Sequence, residues 1–201
     1  MWVLAVGGPL PATASTLFLS DVSSDETPAA ALFAELRFEI IGATVLRITL
    51  LNRTDESNAS FGTGEYAIRE IYFNATPNVT ALSLTSPASG WSLATNQRGG
   101  GEFGRFDYAL IGDLGKDVQV AVDPGASLVF ELDISGTGPF DMLDFATERS
   151  RIPPGSMEML AQAKFVQGPG DDSAFGAVPE PRVALLVTAG LVAALLRRRP
   201  G

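Results

Sequence analysis

The 201-residue chain has no cysteine and no histidine. Without cysteine there is no disulfide framework, no thiol nucleophile and no zinc–thiolate site. Without histidine there is no Ser-His-Asp catalysis, and the usual zinc ligand and the commonest general base are missing. Basic residues are scarce, 14 against 23 acids, for a net charge of −9. The segment Val178–Gly201 holds Glu180 and four arginines, Arg182, Arg197, Arg198 and Arg199. Setting it aside leaves 22 acids against 10 bases. A body this acidic stays soluble, attracts cations and is a poor partner for nucleic acid or anionic lipid. The chain length suits one domain with appendages, and no internal repeat is evident.

Full-length apolar runs are also lacking. The longest, Val183 to Leu196, spans roughly 21 Å as a helix at ~1.5 Å per residue, against a hydrocarbon core of about 30 Å. A run this short is compatible with a packed core helix. Two features favour a membrane-inserted tail instead. Arg182 and Arg197 can snorkel and extend the span at both ends. The terminal Arg197, Arg198 and Arg199 act as a stop to translocation and mark the cytoplasmic side. Just before the run, Pro179 and Pro181 around Glu180 hold the backbone extended.

The ordered series of Pro179-Glu180-Pro181, a short apolar helix over 183–196 and a terminal arginine cluster resembles the PEP-CTERM sorting signal of Gram-negative bacteria. That resemblance implies recognition by an exosortase, a membrane-embedded cysteine protease or transpeptidase that removes the tail. It also implies an exported protein in an exopolysaccharide or biofilm setting. The carry-over covers Pro179, Glu180 and Pro181 as recognition residues, the helix, and Arg197, Arg198 and Arg199 as the stop-transfer cluster. The chain departs from the family pattern at Arg182, where a small hydroxyl residue is more usual. The signal is an address and assigns no activity to the body. An ordinary tail anchor without processing is the alternative.

At the other end, Trp2–Val6 is a short apolar run and Ala12-Thr13-Ala14 is an A-x-A-like cleavage site before Ser15. This pattern suits a signal peptide over 1–14, possessing no basic start, and its alternative is a buried first strand.

Between the ends the pattern is β-rich. Ala34, Leu36, Phe38 and Ile40 alternate with Glu35, Arg37 and Glu39, and the alternation resumes over Val45–Leu50. Further strands are expected at Tyr66–Phe73, Val79–Leu84, Phe106–Ile111, Val118–Val122, Leu128–Ile134 and Ala161–Val166. Turn sequences separate them: Gly62-Thr63-Gly64, Gly99-Gly100-Gly101, Asp123-Pro124-Gly125 and Gly136-Thr137-Gly138. Alanine-rich Thr27–Glu35 has a helical alternative. About eight short strands predict an antiparallel β-sandwich over 15–167, immunoglobulin-like or jelly-roll. A Gly/Asp/Ser linker is expected over 168–177, with the sorting signal over 178–201.

Other motifs point less far. Asn52, Asn58, Asn74 and Asn78 head N-x-S/T sequons, which in a Gram-negative setting read as turn and edge residues. The pairs Asp141/Asp144 and Asp171/Asp172 lack calcium-loop spacing. Gly99–Gly101 lacks the Lys-Ser/Thr of a phosphate cradle. Trp91, Tyr66, Tyr72 and Tyr108 could line a sugar-stacking face or fill the core. Paired carboxylates could hydrolyse glycosides without histidine, but no motif singles out a pair. The expectation is therefore a non-catalytic structural or interaction protein with no cofactor or metal. Its expected partners are an exosortase in passing, the inner membrane through the tail helix, and exopolysaccharide, with no nucleic acid. A carbohydrate-binding module is the alternative.

Overall fold

The computed structural model describes residues 14–21, 32–54, 66–87, 90–99, 103–112, 120–151, 158–167 and 173–179. These residues form ten strands and one short helix. The strands are β1 Ser15–Asp21, β2 Phe33–Ile41, β3 Val45–Asn52, β4 Tyr66–Phe73, β5 Val79–Ser86, β6 Trp91–Arg98, β7 Arg105–Gly112, β8 Ser127–Gly136, β9 Met159–Gln167 and β10 Ser173–Pro179. The helix α1, Leu143–Ala146, lies between β8 and β9. Every strand pairing is antiparallel. The hydrogen-bonded order runs β5-β8-β3-β2-β1-β10-β9-β4-β7-β6.

That sheet cannot be flat. Phe38 of β2 and Phe73 of β4 stand four strand steps apart, roughly 19 Å at ~4.8 Å per step, yet their ring centroids are 5.8 Å apart. Trp91 of β6 and Phe130 of β8 stand eight steps apart, and their rings meet edge to face at 5.0 Å. The sheet is therefore folded over, with β5-β8-β3-β2-β1 facing β10-β9-β4-β7-β6 across one core. Alternating side chains fill it: Leu36 and Phe38, Leu46, Ile48 and Leu50, and Phe130, Leu132 and Ile134 are all buried. In β4 the alternation breaks. The pairing with β9 shifts between Ile68 and Glu70, and this bulge lets Ile68 and Ile71 both reach the core.

The two halves differ on their outer faces. The β1–β2–β3–β8 side presents charged side chains to water, with ion pairs Arg47–Glu131 at 2.6 Å and Arg53–Glu35 at 2.7 Å. The other half carries a second apolar cluster of Tyr72, Phe103, Phe106, Ala109, Met159 and Ala177. Tyr72 lies between core residues Ile71 and Phe73, and Ala109 between Tyr108 and Leu110. Strand alternation therefore puts both on the outer face. Gly99 lies against this cluster, and a Cβ there would come within 2.7 Å of the Phe106 ring. The first glycine of the Gly99–Gly101 run thus sits where another chain segment approaches too closely for a side chain.

Seven expected strands are present with small shifts of boundary. Of the eighth, Val118–Val122, residues 118 and 119 lie outside the described residues, and Val122 exchanges 2.8 and 2.9 Å backbone hydrogen bonds with Ile68 as an isolated bridge. Phe33–Glu35 belong to β2, which replaces the helical alternative there. The largest correction concerns the linker expected over 168–177. Residues 173–177 are part of β10, paired with β9 along its length and with β1 at Ser20↔Ala177 and Asp21↔Gly176. The small residues that read as a spacer are small because Gly176 and Ala177 are buried inside the sheet. No helix among the described residues is long and apolar enough to cross a membrane. The expected span over 183–196, residues 1–13 of the expected signal peptide and residues 168–172 lie outside the described residues.

Candidate functional site: the pole of Ser15 and Pro179

Strand β10 carries the chain from the body to its last segment. It pairs with β9 from Ser173↔Val166 to Pro179↔Met159, with a register shift between Val178 and Pro179. Proline has no N–H for the ladder, so it suits the irregular end of a strand. Because β1 and β10 are antiparallel, the start of β1 at Ser15 and the end of β10 at Pro179 lie at the same pole.

The short helix α1 closes that pole. Phe145 is fully buried and stacks on Phe38 at 6.4 Å, and Phe38 is opposite Ser15 across the β1–β2 pair. Asp144 is also buried, and its carboxylate is fully engaged. It accepts hydrogen bonds from the Thr76 hydroxyl at 2.5 Å, the Asn78 amide at 3.5 Å and the Asp141 backbone N–H at 3.0 Å. The Thr76 N–H donates to the Asp144 carbonyl at 2.8 Å. This network fastens the turn after β4 to α1, so the Asp141/Asp144 pair acts as a clasp. Among the described residues no group of acids has the arrangement of a metal site.

Next to the β10 end, backbone pairing aligns three arginines. Ser150 donates to the Met159 carbonyl at 2.9 Å, and Arg151 and Arg105 exchange two 2.8 Å backbone hydrogen bonds. Arg105 also pairs with Arg98 across β6–β7. All three side chains are exposed. Arg151 is held by Asp107 at 3.0 Å, and neighbouring Arg149 by Glu158 at 2.9 Å. Arg105 reaches the Asn96 carbonyl at 3.5 Å, while the Arg98 side chain makes no ion pair or hydrogen bond to the described residues. Sequence reasoning missed this row. Its members are separated by seven and 46 positions, and only strand register brings them together.

The other sequence candidates resolve into structural roles. Asn52 is fully buried and donates to the Tyr66 and Val122 carbonyls at 2.8 and 2.9 Å, tying β3 to β4 and to the isolated bridge. Asn74 is buried and accepts from the Asp107 N–H at 3.0 Å. Neither asparagine is presented to solvent in the folded chain. Asn58, Asp171 and Asp172 lie outside the described residues. Trp91, Tyr66, Tyr72 and Tyr108 are all buried, which places them in the packing rather than on a sugar-stacking face. The Tyr72 hydroxyl donates to Glu70, whose other oxygen accepts from Lys164 at 3.1 Å. Burial first, and the Glu70 carboxylate second, push the Tyr72 hydroxyl far above the ordinary tyrosine range. Burial and the charge of Asp107 raise Tyr108 in the same direction.

Of the residues expected from the sequence to form a sorting signal, Pro179 is the last residue of β10. Glu180, Pro181, Arg197, Arg198 and Arg199 lie outside the described residues. No family model, curated protein or solved structure matches this chain.

Proposed function

We propose that this chain is an exported surface or extracellular-matrix protein delivered through a C-terminal sorting signal. In this reading an exosortase recognises Pro179, Glu180 and Pro181, the helix over 183–196 holds the chain in the inner membrane before processing, and Arg197–Arg199 stop transfer. The body has a non-catalytic structural or interaction role at the cell surface, in an exopolysaccharide or biofilm setting. The observation that carries the proposal is the ordered motif, apolar run and arginine cluster at the chain's end. The fold is compatible with it, because β10 brings the chain to the motif at the surface of one pole. The nested pairs β1–β10, β3–β8 and β4–β7 favour a jelly-roll-like wrapping over an immunoglobulin-like one. The carbohydrate-binding alternative loses its main support with the burial of Trp91 and the three tyrosines.

The test is the intact mass of the protein recovered from its native host, in membrane and extracellular fractions. A secreted species ending near Pro179–Pro181 and lacking 183–199 is the expected result. A full-length chain confined to the membrane would leave a simple tail anchor and overturn the sorting proposal.

A further inference from the structure

We propose that an exosortase cuts this chain only after the end of β10, Val178–Pro179, has peeled away from β9, so that the folded sandwich gates its own processing. This rests on the reading that the tail is a sorting signal processed at or beside Pro179-Glu180-Pro181. The first argument is space. Pro179 is the last residue of β10 and Val183 begins the apolar run, so only Glu180, Pro181 and Arg182 stand between them. From Pro179 to Val183 the chain reaches at most about 14 Å when fully extended. A cleft that takes a peptide as an added strand engages its main chain over a strand's length, typically about five or six residues. The folded chain offers three, one of which, Pro181, has no N–H. On the N-terminal side of the motif, the chain is committed to β9 through Val178↔Ala161 and Pro179↔Met159. Peeling those two positions leaves five residues, 178–182, and a reach from Ala177 of about 21 Å.

The second argument is where the ladder is weak. Gly176 and Ala177 are buried and held from both sides, by β9 and by β1. Among the described residues the β1 pairing stops at Ala177, so β9 alone holds Val178 and Pro179. The register also shifts between these two. Proline has no N–H to give, and Met159 opposite uses both of its main-chain groups on Ser150. Its N–H donates to the Ser150 hydroxyl at 3.0 Å, and its carbonyl accepts from the Ser150 N–H at 2.9 Å. The outermost position of the β9–β10 ladder is therefore poorly bonded, while β9 itself stays anchored to the 150–151 segment. Val178 is only half-buried against the core. Local opening begins where buried apolar contact and protected hydrogen bonds are few. Strand β10 accordingly opens from its end and stops at the two-sided hold on Ala177.

The test follows the full chain in membranes of its native host, with the rate of tail removal read by intact mass. Two variants move the gate in opposite directions and leave Pro179-Glu180-Pro181 and the apolar run unchanged. In one, a Gly/Ser spacer of about eight residues inserted between Val178 and Pro179 carries the motif clear of the sheet. In the other, Ala161→Cys with Val178→Cys ties the two facing positions together; facing residues of antiparallel strands lie within disulfide range, and the chain has no other cysteine. A minor open state is populated at about 0.1–10%, and cleavage follows that population when opening is fast. The spacer should therefore speed processing at least about ten-fold. The disulfide should slow it by a similar factor, and reductant should restore the wild-type rate. Equal rates for wild type, spacer and oxidised pair overturn the gate and leave the sorting reading standing. A faster spacer variant beside an oxidised pair cut at the wild-type rate means that the body merely crowds the enzyme, and also overturns the gate. If no chain is processed, the spacer variant included, the sorting reading fails and the gate with it.

Discussion

Replacing Ala177 with aspartate tests whether the chain before Pro179-Glu180-Pro181 belongs to the fold or hangs free. Ala177 is fully buried, sits between Ser20 of β1 and Gln162 of β9, and packs in the outer cluster with Tyr72, Phe106 and Met159. A carboxylate there has apolar neighbours and no cation among them. An uncompensated buried charge costs about 3–5 kcal/mol. With a urea slope of about 2 kcal/mol per molar, the unfolding midpoint should fall by roughly 1.5–2.5 M. In a solvated linker the same change would stay within about 0.5 kcal/mol. The assay is urea unfolding of the intact chain in non-ionic detergent, followed by the fluorescence of Trp91, which is buried against Phe130. Ala81→Asp, at an exposed position of edge strand β5, is the control for added charge. If Ala177→Asp and Ala81→Asp unfold together at the wild-type midpoint, β10 is not part of the sandwich.

The remaining predictions concern the plug at the pole and the buried tyrosines. Phe145→Ala removes a fully buried ring stacked on Phe38 and should cost about 3–5 kcal/mol, read in the same urea assay; a loss under about 1 kcal/mol would mean that α1 does not seal the core. Tyr72 and Tyr108 are both held above the ordinary value of 10.0. A raised folded-state value makes their contribution fully present below about pH 10, and it is lost as the pH climbs through the folded value while the unfolded chain ionises. The urea midpoint should accordingly decline from about pH 10 upward, and Tyr72→Phe should remove part of that decline. A midpoint with identical pH dependence in wild type and Tyr72→Phe would contradict the assignment.

The β class was legible because a half-buried strand writes its own period. Glu35, Arg37 and Glu39 face outward while Ala34, Leu36 and Phe38 face the core, and the sequence alternates accordingly. Strands that break this rule were missed. The edge strand β6 is polar on much of its length, and its Trp91-Ser92-Leu93-Ala94-Thr95-Asn96 run has no clean alternation. Strand β10 is enclosed in the sheet, and with consecutive Gly176 and Ala177 both buried it shows no alternation and resembles a spacer. In the part of Val118–Val122 that the structure describes, Val122 makes a single bridge to Ile68.

The sequence by itself determined which cysteine and histidine mechanisms are closed to this protein, and it holds the pattern on which the sorting proposal rests. The absence of cysteine and histidine is a matter of composition, and a sorting motif is a local pattern of rigidity, greasiness and charge that needs no folded context. Everything that depends on register was decided only in three dimensions. The pairing of Arg98 with Arg105 and of Arg105 with Arg151, and the placing of Ser15 and Pro179 at one pole, arise from hydrogen bonds between backbone groups of different strands. A side chain's spacing along the backbone carries no information about its neighbour one strand away. In this molecule the strand ladders bring together three arginines from an acidic chain.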